Sequence, residues 1–149
     1  MKYVIDTSVG FKWAVSEIDS DKAVRLRDDF NNAIHELLAP DLFPTEIANA
    51  LAAAERAGRT NRARRLCFSS TFSRTPPLSS RRSRSSREPS ICAFRPNNPY
   101  TIAFTSPLAE KETCDFVTAD DKLVRNLQAQ FPFIKHLSSL PGPPIAPVP

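Results

Sequence analysis

An acid and two hydroxyls, Asp6-Thr7-Ser8, follow the first apolar run of the chain and are its residues best suited to chemistry. That run, Lys2-Tyr3-Val4-Ile5, predicts a buried strand that ends in a polar turn. Ligands of open α/β sheets bind at the carboxyl ends of the strands, which is where Asp6 would lie. An aspartate before Thr-Ser is also typical of a helix N-cap, so the interpretation of Asp6 depends on the other acids of the chain.

Two further acidic motifs occupy places that match the first one. Pro40-Asp41-Leu42 leads into a predicted helix that carries Glu46 and Asn49, and these two residues share a face because they are one helical turn apart. Val117-Thr118-Ala119-Asp120 ends a predicted strand and reaches an acid, as Ile5-Asp6 does. The sequence therefore predicts that Asp6 and Asp120 both follow strands of one sheet.

Strands alternate with helices along the chain, which favours an α/β fold with a parallel sheet. Asp19-Ser20 can cap the second helix, and Gly58 can close the third one. The apolar face predicted for the second helix consists of Ala23, Val24, Leu26, Phe30 and Ile34. The predicted strands are Lys2–Ile5, Leu37–Ala39, Cys114–Thr118 and Phe133–Leu137, and the other predicted helices are Val9–Val15, Phe43–Ala57, a helix end at Leu108–Glu112 and a helix that begins at Asp120.

Charge is divided unevenly along the chain. The formal net charge of the 149 residues is +4, but the stretch from Arg59 to Pro107 contains ten arginines and one acid, Glu88, and so carries +9. The remainder of the chain then carries −5. The protein is therefore an acidic body with one basic insert, which differs from a basic nucleic-acid-binding domain.

The cysteines and the hydropathy of the chain bear on its compartment. Cys67, Cys92 and Cys114 are odd in number, widely spaced and without metal-ligand spacing. The sequence has no N-terminal signal segment and no long apolar span. These features predict a reduced, cytoplasmic protein.

The segment 67–107 differs in composition from both of its flanks. It contains six prolines and the run Ser79-Ser80-Arg81-Arg82-Ser83-Arg84-Ser85-Ser86-Arg87, and it has no sustained apolar period. Such a composition cannot bury enough surface to offset chain entropy, so we expect 67–107 to be disordered, as well as the proline-rich tail 141–149. A Ser/Arg insert that binds RNA is one interpretation, although a disordered insert of this length inside a compact domain is unusual.

The three acidic motifs together resemble those of the PIN-domain nucleases, especially the toxin branch of toxin–antitoxin pairs (VapC-type). The resemblance covers about residues 1–66 and 108–140. It implies a single PIN-like domain over residues 1–140, with a three-layer α/β/α fold, a central parallel sheet, and a central helical part disrupted by the aberrant segment 67–107.

The resemblance also implies an activity, a metal and partners. PIN toxins are endoribonucleases whose acids bind magnesium or manganese, and a divalent metal activates water and relieves charge on the phosphate. Asp6, Glu46 and Asp120 match the family's catalytic, metal-binding acids, and Asp121 is a further candidate ligand. The supporting residues are Thr7, Ser8 and Asn49. The implied partners are an RNA substrate, an antitoxin protein and a second copy of the chain, with no membrane.

The resemblance has one gap. The family has an acid in a Tyr-Asp-like motif where this chain has the acid-free sequence from Pro99 to Pro107, before Leu108-Ala109-Glu110. With codons that the genetic code allows for Tyr100 to Pro107, a frame that starts two bases later encodes Tyr-Asp-Cys-Leu-Tyr-Val-Ala, which supplies that motif. We therefore hypothesise that 67–107 is translated out of frame, with a compensating shift near Leu108, and that the activity of this chain is impaired.

Each of the matched residues also has an ordinary interpretation. Glu46 could be a solvated helix residue, Asp120 a helix N-cap, and Asp121 a first-turn acid favoured by the helix dipole. Trp13 is expected to pack in the core. His35 and His136 lack paired ligands in the sequence and are expected to be structural or surface residues.

Two other functions compete with the nuclease, and the arginine run has an alternative interpretation of its own. An inactive PIN-like remnant that binds RNA or a protein partner is favoured by the missing acid. An aspartyl phosphotransferase with Asp6 as the nucleophile usually needs a second acid two residues later, where this chain has Ser8. Arg81–Arg87 could bind phosphate electrostatically, but the out-of-frame hypothesis explains this run better.

Overall fold

The computed structural model describes residues 1–63, 66, 78–79 and 108–140. A short helical turn at residues 108–112 and a 3-10 helix at Leu137–Ser139 complete this part of the chain. Its strands are β1 (Lys2–Ile5), β2 (Glu36–Ala39), β3 (Leu78–Ser79), β4 (Asp115–Thr118) and β5 (Ile134–His136), and its longer helices are α1 (Thr7–Phe11), α2 (Ser20–Asn31), α3 (Phe43–Arg56) and α4 (Asp121–Leu127).

The strands form one parallel sheet in the order β3-β2-β1-β4-β5. The chain therefore runs from β1 toward one edge through β2 and β3, and then returns to the other side of β1 with β4 and β5. This reversal creates a topological switch point between β1 and β4, where open α/β sheets bind their ligands. The predicted α/β class with a parallel sheet is confirmed.

Successive residues of the central strands face opposite sides of the sheet, and helices cover both sides. Tyr3 and Ile5 belong to one core cluster with residues of α1, α2 and α3, whereas Val4 belongs to a second cluster. The second cluster contains Leu108 and Ala109, and side chains of α4 pack against it. The two clusters explain why successive residues of the central strands, such as Tyr3, Val4 and Ile5, are apolar, since a parallel sheet is buried on both faces.

Helices α1 and α3 approach each other closely at Gly10. A Cβ atom at this position would lie 2.7 Å from Cζ of Phe43 and still closer to Cδ1 of Ile47. Both of these side chains are almost fully buried, so they have little room to move. Trp13 packs on the same region: its ring meets Phe43 edge to face, and its indole N–H donates to the carbonyl of Ala23.

Gly10→Ala should destabilise the fold by about 1–3 kcal/mol, because it overpacks the contact between α1 and α3. The sign of the stability change is informative, since a glycine-to-alanine change in an exposed helix stabilises the helix by about 1 kcal/mol. Urea unfolding measures the difference. Adding Ile47→Val, which removes the Cδ1 atom, should recover part of the loss. Unchanged or increased stability of the single variant would contradict the prediction.

The first helix differs in its bounds from the prediction. The predicted Val9–Val15 helix begins two residues earlier, at Thr7, and ends at Phe11. Because the helix begins there, Asp6 occupies the N-cap position with extended backbone, although its side chain makes no capping hydrogen bond.

The second helix shows two differences. Asp19 precedes it in the left-handed region (φ 62°) without a side-chain capping bond, and Ser20 Oγ instead bonds to the backbone of Val15 and Glu17. Ile34 is 57% exposed and lies beyond the helix. It follows Ala33, which has a φ of 58° and ends α2 in a Schellman motif.

Helix α3 is close to its prediction and ends in the same way as α2. Gly58 follows it with a φ of 69°, and the N–H groups of Gly58 and Arg59 bond to Glu55 and Ala54. Thr113 has a φ of 51° and closes residues 108–112 with the same pair of bonds. The helix end predicted at Leu108–Glu112 is confirmed, but only one of these three left-handed caps is a glycine that the sequence could reveal.

Some predictions concern residues outside the described part of the chain. The disorder expected of 67–107 and of 141–149 falls there, except that Leu78–Ser79 pairs with β2 as a short strand that was not predicted. Cys67 and Cys92 fall there too, whereas Cys114 is a free cysteine. Within the described residues, no helix is both long and apolar enough to cross a membrane.

Candidate functional site

Asp6 lies at the carboxyl end of the central strand, beside the switch point of the sheet. Its backbone N–H donates to the carbonyl of Val117 at 3.0 Å, which extends the pairing of Ile5 with Val117. Asp6 and Thr118, the last residue of β4, therefore lie side by side at the same edge. Asp6 is 6% exposed, and Thr118 is fully buried.

Two hydroxyl groups bind the carboxylate of Asp6. Ser8 Oγ donates to Oδ2 at 2.7 Å, and Thr118 Oγ1 donates to the same oxygen at 2.8 Å. Ser8 reaches this oxygen because α1 begins directly after Asp6 and turns the chain back over the strand end. The predicted supporting role of Ser8 beside the first acid is thus consistent with its contacts.

Burial controls the ionisation of Asp6. Desolvation raises the pKa of the Asp6 carboxyl above its ordinary value, while the hydrogen bonds from Ser8 and Thr118 oppose that rise. None of the ion pairs among the described residues involves Asp6. A buried carboxyl with a raised pKa at a switch point is the kind of group found in functional sites.

Glu46 meets the same region from α3. Its Oε2 accepts a hydrogen bond of 2.5 Å from Thr7 Oγ1, which is at the short end for a hydroxyl and a carboxylate. Thr7 directly follows Asp6 in the chain, so Glu46 contacts the immediate neighbour of the first acid. Glu46 is half-buried, whereas Asn49, one turn further along α3, is exposed.

Asp120 begins α4 and is a helix N-cap. Its Oδ1 accepts hydrogen bonds from the N–H groups of Lys122 and Leu123 at 2.8 and 3.2 Å. The backbone N–H of Asp120 donates to Thr118 Oγ1 at 3.2 Å, and that hydroxyl in turn donates to Asp6. The ordinary interpretation of Asp120 as a cap is confirmed, and one hydroxyl joins this residue to Asp6.

Asp121 lies apart from these groups. Its side chain is 73% exposed, and its Oδ1 lies 3.4 Å from Nε2 of His136. His136 caps the 3-10 helix, since its Nδ1 accepts the N–H of Ser138. These contacts favour the interpretation of Asp121 as a first-turn acid and of His136 as a structural residue.

Asp120→Ala should lower the free energy of unfolding by about 0.5–2 kcal/mol, because the N-cap is lost. Asp120→Asn should stay within about 0.5 kcal/mol of the unmodified chain, since asparagine caps equally well. Urea unfolding of both variants separates the cap from the charge. Asp121→Ala is the neighbouring control, with an expected change of a few tenths of a kcal/mol. A stable Asp120→Ala variant would show that the cap contributes little.

The three predicted acids form a linked arrangement and not a closed cage. In the part of the chain that the structure describes, no three side chains of His, Cys, Asp or Glu are grouped so that they could hold a metal ion together. Asp6, Glu46 and Asp120 are connected instead through Thr7 and Thr118. Such an edge can present hard carboxylate oxygens to a hydrated cation, since Mg²⁺ usually keeps several waters and binds one or two carboxylates.

Thr118 is the residue of this site to which the sequence assigned no role. It belongs to the motif Val117-Thr118-Ala119-Asp120, but a threonine at the end of a strand is common because β-branched residues suit strands. The signal that could have identified Thr118 is its place directly after the apolar residues Phe116 and Val117. A hydroxyl at such a place is expected to be buried, and buried polar groups require hydrogen-bond partners.

Trp13 and His35 have structural surroundings, as expected. Trp13 packs against Phe43 in the first core cluster. The imidazole of His35 lies edge to face on Tyr3, with its Nε2 3.5 Å from Asp29.

Comparison with known proteins adds no assignment. The chain matches no protein-family model, and no curated protein matches it. The functional argument therefore depends on the geometry of this sheet edge and on the sequence motifs.

Proposed function

We propose that this chain is a magnesium- or manganese-dependent endoribonuclease of the PIN type, the toxin of a toxin–antitoxin pair, with impaired activity. The observation that carries the proposal is the buried carboxylate of Asp6 at the switch point between β1 and β4. Thr118 Oγ1 links this carboxylate to the backbone N–H of Asp120, and Glu46 accepts the hydroxyl of Thr7, the next residue after Asp6. Acidic residues from three separate elements thus contact the segment at the edge where open α/β sheets bind ligands.

The fold assignment in the proposal is a single PIN-like domain over residues 1–140 with three α/β/α layers. Two features are compatible with it: the parallel strand order β3-β2-β1-β4-β5 and core clusters on both faces of the sheet. The acidic motifs in their order along the chain add the sequence resemblance. An antitoxin protein, an RNA substrate and a second copy of the chain are the partners that this resemblance implies.

The chemistry of the site fits a hard divalent cation. Carboxylate oxygens are the ligands that Mg²⁺ prefers, and a buried carboxylate such as Asp6 is costly without a nearby positive charge. One or two of the carboxylates of Asp6, Glu46 and Asp120 would bind the hydrated metal directly, and Asp121, which is exposed and near His136, is a weaker candidate. When bound, the metal supplies an activated water and neutralises charge on the phosphate.

The protein residues orient this carboxylate edge. Ser8 and Thr118 fix the direction of the Asp6 carboxylate through Oδ2. Thr7 holds Glu46 close to Asp6. The capping bonds of Asp120 restrain its Oδ1. Preorganised oxygen ligands lose little freedom when a cation or phosphate binds, which is the general advantage of a rigid site.

A binding module without catalysis is the second candidate function. It is favoured by the observation that the described residues contain no group of three metal ligands and by the acid that the family has and this chain lacks. An aspartyl phosphotransferase ranks third, because Ser8 stands where a second acid is usually found and because Oδ2 of Asp6 is engaged by two hydroxyls.

RNA cleavage by the full chain at high protein concentration, with Mg²⁺ and then with EDTA, tests the nuclease. Glu46→Gln keeps an oxygen that can accept the Thr7 hydroxyl but removes the charge, so the variant should fold and lose cleavage. Glu110→Gln removes the same charge at an exposed position of the 108–112 turn and should cleave as before.

The outcomes separate the candidate functions. Cleavage that Mg²⁺ restores after EDTA and that Glu46→Gln lacks agrees with the nuclease. RNA binding without any cleavage favours the binding module. A phospho-aspartate trapped on Asp6 favours the phosphotransferase.

A further inference from the structure

Both hydroxyls on Asp6 repeat one pattern of hydrogen bonds. Ser8 Oγ donates to Asp6 Oδ2 and accepts from the N–H of Ala119 at 2.9 Å. Thr118 Oγ1 donates to the same carboxylate oxygen and accepts from the N–H of Asp120 at 3.2 Å. Two successive N–H groups of the loop between β4 and α4 are therefore connected to one oxygen of Asp6.

The accepted bonds fix the direction of the donated ones. A hydroxyl that accepts a backbone N–H directs its own proton elsewhere, and for Thr118 the near acceptor is the Asp6 carboxylate. Linked hydrogen bonds in a buried site also polarise and strengthen one another. The position of the Asp6 carboxylate and the position of Asp120 are consequently set together.

The hydroxyl of Thr118 is the part of its side chain that needs an explanation. Thr118 is fully buried at the end of β4, directly after the buried apolar residues Phe116 and Val117, and valine has the same shape without the hydroxyl. Replacing it would leave the N–H of Asp120 and one lone pair of Asp6 without this partner, which is costly for buried groups.

We propose that Thr118 is a positioning residue of the proposed nuclease site, whose hydroxyl holds the Asp6 carboxylate in register with Asp120. The inference rests on the proposed function for its consequence in metal binding. Residues that orient the ligands of a metal typically change its affinity 10- to 100-fold when they are replaced.

Three variants of the full chain test this role. Thr118→Val removes the hydroxyl and keeps the volume, and Thr118→Ser restores the hydroxyl without the methyl group. Ile134→Val is the control for a destabilised core, since Ile134 is fully buried on β5 in the second cluster. The first readout is the Mg²⁺ concentration that gives half of the metal-induced rise in the thermal midpoint.

Thr118→Val should raise this half-saturating concentration about 10- to 100-fold, whereas Thr118→Ser and Ile134→Val should stay within about threefold of the unmodified chain. If the role of Thr118 is merely structural, Thr118→Val and Ile134→Val should both have lower thermal midpoints, and the half-saturating Mg²⁺ concentration should not change in either variant. That result would overturn the inference and leave the proposed function intact.

A second readout does not depend on metal or RNA. In a double-mutant cycle of Asp6→Ala, which removes the acceptor oxygen, and Thr118→Val, measured by urea unfolding, direct coupling should make the unfolding constant of the double variant differ at least about threefold from the product of the single effects. If the unmodified chain shows no response to Mg²⁺, the proposed function fails together with the role of Thr118 in metal binding, and this cycle decides only whether the Thr118 hydroxyl holds the Asp6 carboxylate. If the unfolding constant of the double variant equals the product of the single effects within experimental error, this contact between the Thr118 hydroxyl and Asp6 is rejected.

Discussion

Asp6→Asn should abolish metal-dependent RNA cleavage and at the same time make the fold more stable at neutral pH. The carboxylate is buried at the switch point of the sheet, where the proposed metal needs its charge. Its loss should reduce cleavage by more than the roughly 100-fold that is typical for an outer-shell partner of a metal. Asparagine retains an oxygen that can accept the hydroxyls of Ser8 and Thr118, so the local packing is preserved.

The gain in stability follows from the direction of the pKa shift. Because desolvation raises the pKa of Asp6 in the folded protein, the folded state binds more protons than the unfolded state between the ordinary value, about 3.9, and the raised one. The contribution of the protonated carboxyl to stability is complete below that ordinary value and is lost as the pH rises through the folded pKa. The buried charge therefore disfavours the folded state at pH 7, so Asp6→Asn, which carries no charge, should be more stable than the unmodified chain at that pH.

Urea unfolding of Asp6→Asn and of the unmodified chain between pH 4 and pH 8 measures this effect. The stability difference should be small near pH 4 and largest at neutral pH. Asp28→Asn on α2 is the control, because it removes the same charge from a half-exposed side chain that pairs with Arg27. A difference that is independent of pH would show that burial does not perturb Asp6.

Magnesium provides a separate check on the same variant. A ligand that binds only the folded state raises its stability, so Mg²⁺ should raise the thermal midpoint of the unmodified chain and not that of Asp6→Asn. Equal rises in the two proteins would mean that the metal binds elsewhere.

The strands and the longest helix were predictable because local patterns determine them. Three of the four residues of Lys2–Ile5 are apolar and buried, as expected of a strand covered on both faces, and α3 has both an apolar stripe and a terminal glycine at Gly58. Asp120 was predictable as a helix start because its side chain bonds only to residues two and three positions later. Such short-range relations are visible in a sequence.

The errors arose where tertiary contacts determine the backbone. Helix α1 begins at Thr7, where the chain turns over the strand end and Thr7 bonds to Glu46, 39 positions away. Ala33 and Thr113 adopt left-handed caps that their residue types disfavour. Neither effect has a local signature, so residues such as Ile34 were assigned to the wrong face.

The residues of the candidate site also divide into those that the sequence could reveal and those that depend on tertiary contacts. Asp6 and Asp120 follow predicted parallel strands, and the carboxyl ends of such strands meet at one edge, so their neighbourhood could be inferred. The role of Thr118 could not, since its bond to Asp6 joins residues 112 positions apart. The sequence reveals which acids can meet, but only the folded chain reveals which hydroxyls orient them.

Restoration of the family-like helix start before Leu108 should recover folding, Mg²⁺ binding and RNA cleavage together. We expect the present chain to be a weak nuclease or none, because the family's further acid is missing and Pro107 disfavours the continuation of a helix. The repaired segment reads Tyr-Asp-Cys-Leu-Tyr-Val-Ala, and its seven changes are Thr101→Tyr, Ile102→Asp, Ala103→Cys, Phe104→Leu, Thr105→Tyr, Ser106→Val and Pro107→Ala.

The geometry of the described flank supports this expectation. Leu108 and Ala109 are buried in the second core cluster, and the helical turn at 108–112 enters β4 after Thr113 and Cys114. A helix from 102 to 112 would measure about 17 Å, and β4 measures about 13 Å. Running back along β4, such a helix would begin level with the carboxyl ends of the strands, near Asp6 and Asp120.

The experiment compares the present chain, the repaired chain and a repaired chain in which position 102 carries asparagine instead (Ile102→Asn). Urea unfolding, the Mg²⁺-induced rise in thermal midpoint and RNA cleavage are measured for each. Both repaired chains should gain at least 1–2 kcal/mol of stability, a large share for a small domain, whereas only the one with the acid should gain Mg²⁺ affinity and cleavage. If the present chain already cleaves RNA as fast as the repaired chain, the further acid is dispensable. Coding DNA in which no alternative frame encodes an apolar helix across 67–107 would refute the out-of-frame hypothesis itself.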